Sequence, residues 1–433
     1  MRSIKELKNI RGKRVLVRVD FNVHIEKGRV TDDTRIAAAV PTVEWLLKKG
    51  AKVVLMTHFG RPGKEVRRYV GTEVRRYGGT EVRRYAGTEV RRYGGTEVRR
   101  HELAPMVEKL SELLKKKVQM IEQWDFREIG ERVKKMSVGG MLMLPNLRLH
   151  PGEEKNSPAF ARELAGLGQI YVNEAFGVDH RAHASLVRVP KLLPAYAGLR
   201  LMEEVETLSR VLHKSEKPLV VLMGGGKITD KMVMLKTMVK RADAVLVGGA
   251  LATAFFKAMG YGVGASKIEP EGVRLAKKLA GNKKIILPKD VVVGTEDGRK
   301  AWVVEIKNAK LKMQNERLVV ICQKPYAILD IGPKTILEYA GYIKRAKALA
   351  WNGPMGRYEV KRFSHGTIAL GRLFAARSKG KAFGIIGGGE TIDAVRKTGM
   401  IDYVDFISTG GGAMLEFLGG KKLPGISALE LNS

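Results

Sequence analysis

The chain has 433 residues, of which 44% are hydrophobic and 28% are charged. This length exceeds what one hydrophobic core supports, so we expect two domains, and the hydrophobic fraction excludes a largely disordered chain. Lysine and arginine number 78 against 45 acidic residues, a formal net charge of +33. Such a charge attracts anions in general, from nucleic acid to phosphorylated metabolites, and does not by itself select a function.

Cysteine usage and the lack of long apolar segments indicate the cellular compartment in which we expect the protein. Cys322 is the one cysteine, so a disulfide framework and a cysteine-built metal cluster are excluded and a reducing compartment is favoured. No apolar run approaches the roughly 20 residues that cross a membrane. The opening residues, MRSIKELKNIRGKR, lack the apolar centre of a signal peptide. We expect a cytoplasmic protein without membrane contact.

Short apolar runs alternate with helix-period segments through the first half. The segments PTVEWLLKKG and AFARELAGLG have the spacing of amphipathic helices. The apolar runs, which we predict to be buried strands, are RVLVRVD at 14–20, AKVVLM at 51–56, GGMLML at 139–144 and QIYVNEA at 169–175. This alternation is typical of a parallel sheet with helices on both faces.

An eight-residue unit, EVRRYxGT, recurs in four full copies and one half copy over residues 65–100. Its period does not match the 3.6-residue helix, and a glycine in each unit disfavours a helix by about 1 kcal/mol. Arginine and tyrosine together could stack on and neutralise a single nucleic-acid strand. The alternative, which we favour, is a tandem duplication inside a surface loop, where added length costs little entropy. Removal of residues 65–96 would join Lys64 directly to a loop-to-helix passage.

The second half repeats the alternation of strands and helices, with DKMVMLKTMVKRAD as one helical segment. The predicted strands and their ends are PLVVLMGGGK at 218–227, DAVLVGGA at 243–250, KKIILPKD at 283–290, ALAWNG at 348–353, AFGIIGGG at 382–389 and DFISTGGG at 405–412. We therefore predict an α/β protein of two doubly wound, parallel-sheet domains. A helical segment at 193–208 is the predicted connection between them.

Charged side chains collect at the strand ends of the first half. In open α/β sheets ligands bind beyond the carboxyl ends of the strands, so these residues are site candidates. Arginine suits phosphate and carboxylate because its fork is bidentate and always charged. The candidates are Asp20, Asn22, Arg35, His58, Arg61, Arg148, His180, Arg181 and His183. They predict a pocket for a small anion, whereas two histidines three residues apart are a weak zinc candidate.

The strand ends of the second half are glycine clusters instead. Glycine lets backbone N–H groups approach phosphates closely, and helix N-termini favour anions. The clusters are Gly224 to Gly226 before Lys227, Gly248 and Gly249, Gly387 to Gly389, and Gly410 to Gly412. A nucleotide site is indicated, although GxxxxGK[ST], the Walker-type phosphate loop, is absent from the sequence.

Taken together, the motifs resemble those of phosphoglycerate kinase in order and spacing, over nearly the whole chain outside the repeat. The motifs are VRVDFNV, DDTRI, THFGRP, NLRL, VNEAFGVDHRAHAS, GGGKITDK, WNGPMG with Glu359, GGGET and STGGGAMLE. The resemblance implies two doubly wound domains joined by a helix and hinge. It also implies reversible phosphoryl transfer between ATP and 3-phosphoglycerate, giving ADP and 1,3-bisphosphoglycerate with Mg²⁺.

The resemblance further implies domain limits. We expect a 3-phosphoglycerate-binding domain at 1–192 carrying the inserted repeat, a connecting helix at 193–208 and a nucleotide-binding domain at 209–418. The tail at 419–433 is expected to return to the first domain. Transfer between the domains is expected to require closure that expels water.

Site residues follow from the same resemblance. The residues implied to bind 3-phosphoglycerate are Asp20, Asn22, Arg35, His58, Arg61, Arg148 and Arg181. Arg35 resembles the catalytic arginine, Lys227 the lysine that stabilises the moving phosphoryl, and Lys231 the lysine that holds the nucleotide phosphates. The residues implied to line the rest of the nucleotide site are Gly249, Gly353, Met355, Glu359, Gly389, Glu390 and Thr391.

The chemistry of phosphoryl transfer agrees with these residue types. It needs in-line positioning and charge stabilisation more than a base, and a carboxylate nucleophile, with an ordinary pKa near ~4, is already ionised at neutral pH. Glu390, the expected magnesium ligand, stands where many members of the family have aspartate. Pro145, Gly226 and Ile328 also depart from the family pattern.

Two alternatives remain open at this point. One is a basic nucleic-acid-binding protein on a kinase-like scaffold that acts through the Arg/Tyr repeat. The other is a kinase that also binds nucleic acid through non-specific electrostatics, with steep salt dependence. We expect the kinase, with small-molecule substrates, only non-specific nucleic-acid binding, and a monomeric state.

Overall fold

The computed structural model describes residues 1–60, 102–306 and 320–431, together with the backbone of four strands within the repeat. Arg61 lies outside the described residues. The chain divides into two units: Met1–Val205 with Lys422–Ser433, and Glu206–Lys421. This division follows contacts within the structure and does not test the domain limits expected from the sequence, which stay a prediction.

The described residues of the first unit include the strands β1 to β12, the helices α1 to α6 and the start of helix α7. Its strands are β1 (Arg14–Val19), β2 (Ile25–Glu26), β3 (Arg29–Val30), β4 (Lys52–Met56), β5 (Val74–Tyr77), β6 (Thr80–Tyr85), β7 (Thr88–Tyr93), β8 (Thr96–Arg99), β9 (Gln119–Met120), β10 (Met141–Met143), β11 (Ile170–Glu174) and β12 (Ala195–Ala197). Its helices are α1 (Thr34–Lys48), α2 (Ala104–Leu114), α3 (Phe126–Lys135), α4 (Pro151–Glu154), α5 (Pro158–Gly166), α6 (Ala184–Val187) and α7 (Leu199–His213).

Six of these strands form a parallel sheet in the order β12-β11-β1-β4-β10-β9. The strands have continuous apolar runs because both faces of a parallel sheet are covered. Val17 and Leu55 on adjacent strands are fully buried, as are Ile36 and Val43 of α1 in the same core. The apolar face of α1 is therefore buried with one face of the sheet.

The backbone of the repeat forms an antiparallel sheet in the order β5-β6-β7-β8, which the sequence analysis did not predict. Strands β6 and β7 carry the same segment, TEVRRY, of consecutive units, and Val82 lies opposite Arg91. An eight-residue period leaves room for a short strand and a connection in each unit.

The second unit holds a second six-stranded sheet, again parallel, in the order β16-β14-β13-β21-β22-β23. The strands are β13 (Leu219–Met223), β14 (Ala244–Val247), β15 (Gly262–Val263), β16 (Ile285–Ile286), β17 (Asp290–Gly294), β18 (Ala301–Glu305), β19 (Val320–Cys322), β20 (Ala327–Ile331), β21 (Ala348–Asn352), β22 (Phe383–Gly387) and β23 (Phe406–Ser408). The helices are α8 (Ile228–Arg241), α9 (Gly249–Ala258), α10 (Pro270–Leu279), α11 (Pro333–Arg345), α12 (His365–Ser378), α13 (Gly389–Arg396) and α14 (Gly411–Leu418). Strands β18, β17 and β20 form a small antiparallel sheet.

Strand order locates the crevice in each main sheet. In the second sheet the order from one edge, by chain position, is 3-2-1-4-5-6, so the winding reverses between β13 and β21. In the first sheet the order is 6-5-1-2-4-3, and the reversal lies between β11 and β1. Ligands bind beyond the carboxyl ends of strands at such switch points. The prediction of two doubly wound parallel sheets is thus confirmed.

Helix α7 starts after β12, six residues into the segment predicted as the connecting helix. Glu174, at the end of β11, fixes this start. Its carboxylate accepts the N–H groups of Arg200, at 2.9 Å, and Leu201, at 3.0 Å. The carboxylate also accepts the Thr42 hydroxyl, and burial raises the pKa of Glu174 to about 7. The two-unit division falls within α7, between Val205 and Glu206.

The last helix, α15 (Pro424–Glu430), belongs to the first unit. Its first turn is joined to the strand-end loop after β11, where the Gly425 N–H donates to the Asp179 carbonyl at 3.0 Å. Within the described parts of the chain, no helix is both long enough and apolar enough to span a membrane.

Candidate functional site

The polar residues of the first unit collect at the carboxyl edge of its sheet. Asp20 and Asn22 follow β1, His58 follows β4, Arg148 follows β10 and Arg181 follows β11. These four strands are neighbours in the sheet, so the loops that follow them lie side by side. The predicted set is brought together at this edge, apart from Arg61, which lies outside the described residues. We call these residues, with Arg35 of α1, the basic pocket.

Arg35 is held in the basic pocket by the loop after β1. Its Nη1 lies 3.1 Å from Oδ2 of Asp20 and donates to the Asn22 carbonyl at 3.0 Å. The Asn22 side chain in turn accepts the Gly60 N–H at 3.1 Å, which joins this loop to the one after β4. The Arg35 side chain remains 30% exposed, which leaves the guanidinium accessible to an anion.

His58 is the buried member of the basic pocket, with only 2% of its surface exposed. Its Nδ1 lies 3.9 Å from Oδ1 of Asp20. Burial lowers the pKa of His58 well below its ordinary value, and nearby guanidinium groups lower it further. The arginines with this effect are Arg18, Arg148, Arg35 and Arg181. The ring is therefore neutral at pH 7 and can donate a hydrogen bond without adding charge.

Arg148 and Arg181 complete the positive charge of the basic pocket. Arg148 donates from Nη1 to the Gly60 carbonyl and lies 3.1 Å, through Nε, from Oε1 of Glu154. Arg181 follows a short turn in which its own N–H donates to the Val178 carbonyl at 3.0 Å. Three arginines around a neutral histidine make a site for a small, multiply charged anion.

The histidines of the HRAH motif do not form a metal site among the described residues, where no group of three or more His, Cys, Asp or Glu side chains could hold a metal ion. His183 lies instead beside a buried carboxylate, with its Nδ1 3.7 Å from Oε1 of Glu153. Burial, assisted by neighbouring arginines, lowers the pKa of His183 to about 3, so the ring is neutral.

Two residues that were not predicted from the sequence hold the basic pocket together. Asn146 is 1% exposed and links the loops after β4 and β10 through its side-chain amide. Arg18 is a fully buried arginine within β1 whose Nη2 lies 3.3 Å from His58 Nδ1. The signal for Arg18 was a charged residue in the middle of the apolar run RVLVRVD.

Four helices of the second unit begin at the carboxyl edge of its sheet. The residues at the N-caps of α8, α9, α13 and α14 are Lys227, Gly248, Gly388 and Gly410. Each helix start carries a partial positive charge, which suits phosphate oxygens. At α8 and α9 the first N–H groups already have partners, because those of Ile228 and Thr229 donate to the Glu269 carboxylate and that of Gly249 donates to the Met355 carbonyl. The glycines at the caps allow a ligand to approach the backbone closely. We call this edge the glycine-lined pocket.

Lys231 lies at the switch point between β13 and β21. Its ammonium group donates to the carbonyls of Gly224 and Asn352, the latter at 3.4 Å. Burial lowers the pKa of Lys231 to about 8, while the Glu390 carboxylate partly opposes the shift. Lys227, one helical turn earlier, is exposed. Of the two predicted lysines, one is thus buried under the glycine-lined pocket and the other faces solvent.

The loop after β21 forms one wall of the glycine-lined pocket. Gly353 has a φ of +93° and donates its N–H to the Thr391 hydroxyl at 2.7 Å. A Cβ on Gly353 would collide with the Lys231 ammonium and the Gly224 carbonyl. Met355 is fully buried, and its carbonyl accepts the Gly249 N–H at 2.7 Å.

The remaining predicted nucleotide residues lie on this side of the second sheet. Gly389 and Glu390 are exposed in the first turn of α13, and Glu359 is exposed beyond the β21 loop. Glu390 is a single carboxylate beside helix N–H groups. Mg²⁺ needs no more protein than this when phosphates and water supply its other oxygen ligands.

A family model described as phosphoglycerate kinase matches residues 4–421. Curated proteins named phosphoglycerate kinase from Moorella thermoacetica and Rubrobacter xylanophilus are 41% and 39% identical, over 99% of this chain and 98% of each of theirs. A solved phosphoglycerate kinase structure from Coxiella burnetii is similar with a TM-score of 0.74 and 34% identity, covering 99% of this chain and 98% of that one. Another, from Pyrococcus horikoshii OT3, has a TM-score of 0.79 and 29% identity, over 100% of this chain and 99% of that one.

Proposed function

Because this chain belongs to the phosphoglycerate kinase family, and so transfers a phosphoryl group between ATP and 3-phosphoglycerate, we propose that the basic pocket binds 3-phosphoglycerate and the glycine-lined pocket binds the nucleotide. The observation that carries this assignment is the contrast between the two switch points. Arginines around a neutral histidine lie at the first, whereas the second has a buried lysine and lies on a sheet edge at which four helices begin. The reaction is that of a phosphotransferase with a carboxyl group as acceptor.

In the first unit, the charged groups of 3-phosphoglycerate match the basic pocket. Its phosphate and carboxylate suit the forks of Arg148 and Arg181 and the N–H of His58. Asp20 and Asn22 are acceptors that orient Arg35, and they can also accept the substrate hydroxyl. The full proposed set is Asp20, Asn22, Arg35, His58, Arg61, Arg148 and Arg181. Arg61 is included from the sequence alone.

In the second unit, the glycine-lined pocket receives ATP or ADP. Lys231 and the helix N-termini bind phosphate oxygens, and Gly353 and Gly249 allow the nucleotide to lie close to the backbone. Met355 and Glu359 form the wall and the ribose contact. The full proposed set is Lys231, Gly249, Gly353, Met355, Glu359, Gly389, Glu390 and Thr391.

The transfer step itself needs no general base in this protein. The attacking carboxylate is ionised at neutral pH, since its ordinary pKa is near ~4. What the protein supplies is positive charge for the equatorial oxygens of the moving phosphoryl group, which we assign to Arg35 and Lys227. His58 stays neutral and holds the acceptor in place by a hydrogen bond.

Magnesium is the expected metal, and the donor set fits it. We propose that Glu390, exposed in the first turn of α13, holds Mg²⁺ through its carboxylate while nucleotide phosphates and water complete the coordination. Bound Mg²⁺ neutralises charge on the phosphate oxygens. Thr391 holds the adjacent loop through its bond to Gly353, which keeps the first turn of α13 in position.

Setting and partners are proposed in the same way. We propose that the enzyme acts in the cytoplasm as a monomer on small molecules. Nucleic acid is expected to bind only non-specifically through the net charge of +33, with an affinity that falls steeply with salt. Neither the family match nor the named relatives support a nucleic-acid-binding protein.

The direct test is consumption of ATP by the purified chain with Mg²⁺, with and without 3-phosphoglycerate. We expect turnover that depends on 3-phosphoglycerate and falls about 100-fold or more in Arg35→Ala, since a charge that stabilises the transition state is removed. Arg132→Ala is the matched control, because Arg132 lies on α3 and pairs with Glu128 on the surface. Turnover that ignores 3-phosphoglycerate, or an Arg35→Ala variant as active as the control, would refute the assignment.

A further inference from the structure

We propose that Arg18, a residue outside the proposed substrate set, is a positioning residue that holds His58 in the tautomer with its proton on Nε2. The ring then offers a neutral N–H donor to an anionic substrate. This inference rests on the proposed binding of 3-phosphoglycerate in the basic pocket. The tautomer of His58, however, is a property of the protein without substrate and can be tested separately.

Arg18 is completely buried in β1, two residues before Asp20. A buried guanidinium is costly unless each of its donor groups finds a partner. Three different nitrogens of Arg18 have one: Nε donates to the Ser185 hydroxyl at 3.0 Å, Nη1 to the Val19 carbonyl, and Nη2 lies 3.3 Å from His58 Nδ1. Since the group is planar, contacts at all three nitrogens fix its orientation.

A buried carboxylate, linked to Arg18 through Ser185, supports this orientation. Glu153, fully buried on α4, accepts the Ser185 hydroxyl at 2.6 Å through Oε1 and the Ser185 N–H at 3.0 Å through Oε2. The Ser185 hydroxyl therefore donates to Glu153 and has its lone pair free to accept from Arg18. Glu153, Ser185 and Arg18 form a chain that ends at His58, so the guanidinium is held at Nε while its Nη2 contacts the ring.

This chain determines which nitrogen of His58 carries the proton. A guanidinium has only donors, so a ring nitrogen that bonds to it must present a lone pair. His58 Nδ1 is then unprotonated, and the single proton of the neutral ring lies on Nε2. The Asp20 carboxylate does not compete for an Nδ1 proton, because its oxygen lies 3.9 Å away, beyond hydrogen-bond distance.

The choice of tautomer matters because the proposed ligand is an anion. With the proton on Nε2, the ring donates a directional hydrogen bond to a phosphate or carboxylate oxygen. With the proton on Nδ1, Nε2 would instead present a lone pair to the substrate oxygen, and the two lone pairs would repel each other. Arg18 therefore selects the neutral form of His58 that can bind substrate, without needing to contact substrate itself.

The electrostatic surroundings of His58 keep the ring neutral as well. Burial is the main cause of its lowered pKa, and positive charges add to it. The charged groups that face His58 are Arg18 and Asp20 from β1 and its loop, Arg35 from α1, Arg148 from the turn after β10, and Arg181 from the turn after β11. Removing Arg18 removes one of the four positive charges, so the pKa of His58 is expected to rise in its absence.

The first experiment uses the unaltered full-length protein without substrate. Long-range ¹H–¹⁵N correlation spectra of ¹⁵N-histidine-labelled protein report the tautomer of each ring, and His58→Gln identifies the His58 signals. We expect the Nε2–H pattern, unchanged down to about pH 6, near the ordinary pKa of histidine. An Nδ1–H pattern or a doubly protonated ring at neutral pH would overturn the proposal. Neither outcome depends on whether the kinase assignment is right.

The second experiment removes the positioning group. Arg18→Met alone would leave the buried Glu153 carboxylate with its two hydrogen bonds from Ser185 but without the positive charge that Ser185 links to it. The variant is therefore Arg18→Met with Glu153→Gln, which removes both charges at similar volume. Arg14→Met is the matched control on the same strand, where the Arg14 Nε donates to the Leu167 carbonyl at 3.2 Å.

In the double variant we expect mixed tautomers for His58 and a KM for 3-phosphoglycerate raised roughly tenfold, with a smaller change in kcat. We also expect KM to become pH-dependent near about pH 6, where His58 now titrates. Arg14→Met should keep the native tautomer of His58, and Arg18→Lys should keep it in part of the molecules. A folded double variant with the native His58 spectrum and native KM would show that Arg18 has only a structural role. If the double variant fails to fold, the spectrum of the unaltered protein still decides the proposal.

Discussion

The side-chain amide of Asn146 makes two hydrogen bonds with the backbone of Phe59. The Phe59 N–H donates to Oδ1 at 3.1 Å, and Nδ2 donates to the Phe59 carbonyl at 2.9 Å. The same Oδ1 accepts the Arg148 N–H at 3.0 Å. One buried side chain therefore joins the loop that carries His58 to the turn that carries Arg148, and the geometry of the basic pocket depends on a residue that is not assigned to touch substrate.

Asn146→Ala should loosen the basic pocket. Two partly buried backbone groups of Phe59 lose their partners, at up to about 1–3 kcal/mol each where water does not replace them, so Tm falls and KM for 3-phosphoglycerate rises several-fold. Thermal unfolding and steady-state kinetics measure both effects. Asn282→Ala is the matched control, since the Asn282 side chain accepts an exposed Lys284 N–H in the second unit. Equal KM values for the two variants would contradict the role of Asn146.

Gly353→Ala should weaken nucleotide binding by more than backbone strain alone would explain. Gly353 and Gly399 both have positive φ, +93° and +73°, so alanine at either costs about 1 kcal/mol. A Cβ at Gly399 meets nothing within 4 Å, whereas at Gly353 it collides with Lys231 and Gly224. We expect Gly399→Ala to keep native nucleotide affinity and Gly353→Ala to lose about tenfold or more, roughly 1.4 kcal/mol. Calorimetric titration with ADP measures the difference, and similar affinities would argue against this wall of the pocket.

Nucleotide affinity should weaken as the pH rises through the pKa of Lys231. Burial lowers that pKa to about 8, so the ammonium is charged at lower pH and loses its charge above it. Since the neutral amine attracts phosphate less, we expect the affinity for ADP to fall between about pH 7 and pH 9, and a bound phosphate to raise the pKa in return. Lys231→Met should abolish this pH dependence and weaken binding throughout.

The control for this prediction is Lys236→Met, on the exposed face of the same helix. It should retain the native pH profile of ADP binding. A native profile in Lys231→Met as well would mean that another group titrates, and the proposed phosphate contact of Lys231 would be wrong.

Glu390→Gln should raise the Mg²⁺ concentration needed for half-maximal activity. The amide keeps one oxygen but removes the charge that a hard cation prefers, and we expect a shift of about tenfold. Glu390→Asp keeps the charge and should shift the requirement less. Glu416→Gln on α14, where Glu416 pairs with Lys421 at 3.3 Å, is the control and should behave as the unaltered protein does. A Glu390→Gln variant with an unchanged Mg²⁺ titration would remove Glu390 from the metal site.

Much of the fold could be predicted from local pattern. The apolar runs at 14–20, 51–56, 169–175 and 348–353 all contain strands of the two parallel sheets, because a strand buried on both faces must be apolar along its length. The alternation with helices then leaves few topologies, since crossovers between parallel strands are right-handed. The placement of site candidates at strand ends follows from the same rule. The strands of the repeat could not be predicted in this way, because their sequence is charged and contains no apolar run.

The sequence alone determined the residue types of the two pockets and their order along the chain, and through the motifs it determined the family. Only the tertiary structure decided which side chains contact one another and which charges lie close enough to shift a pKa. The contact of Arg18 with His58 spans 40 residues, and that of Asn146 with Phe59 spans 87. Such pairs leave no periodic signal, because they arise from the order of strands in a sheet. The pKa values of His58 and Lys231 were also beyond the sequence, since they depend on how much water the fold removes and on which charges it brings near.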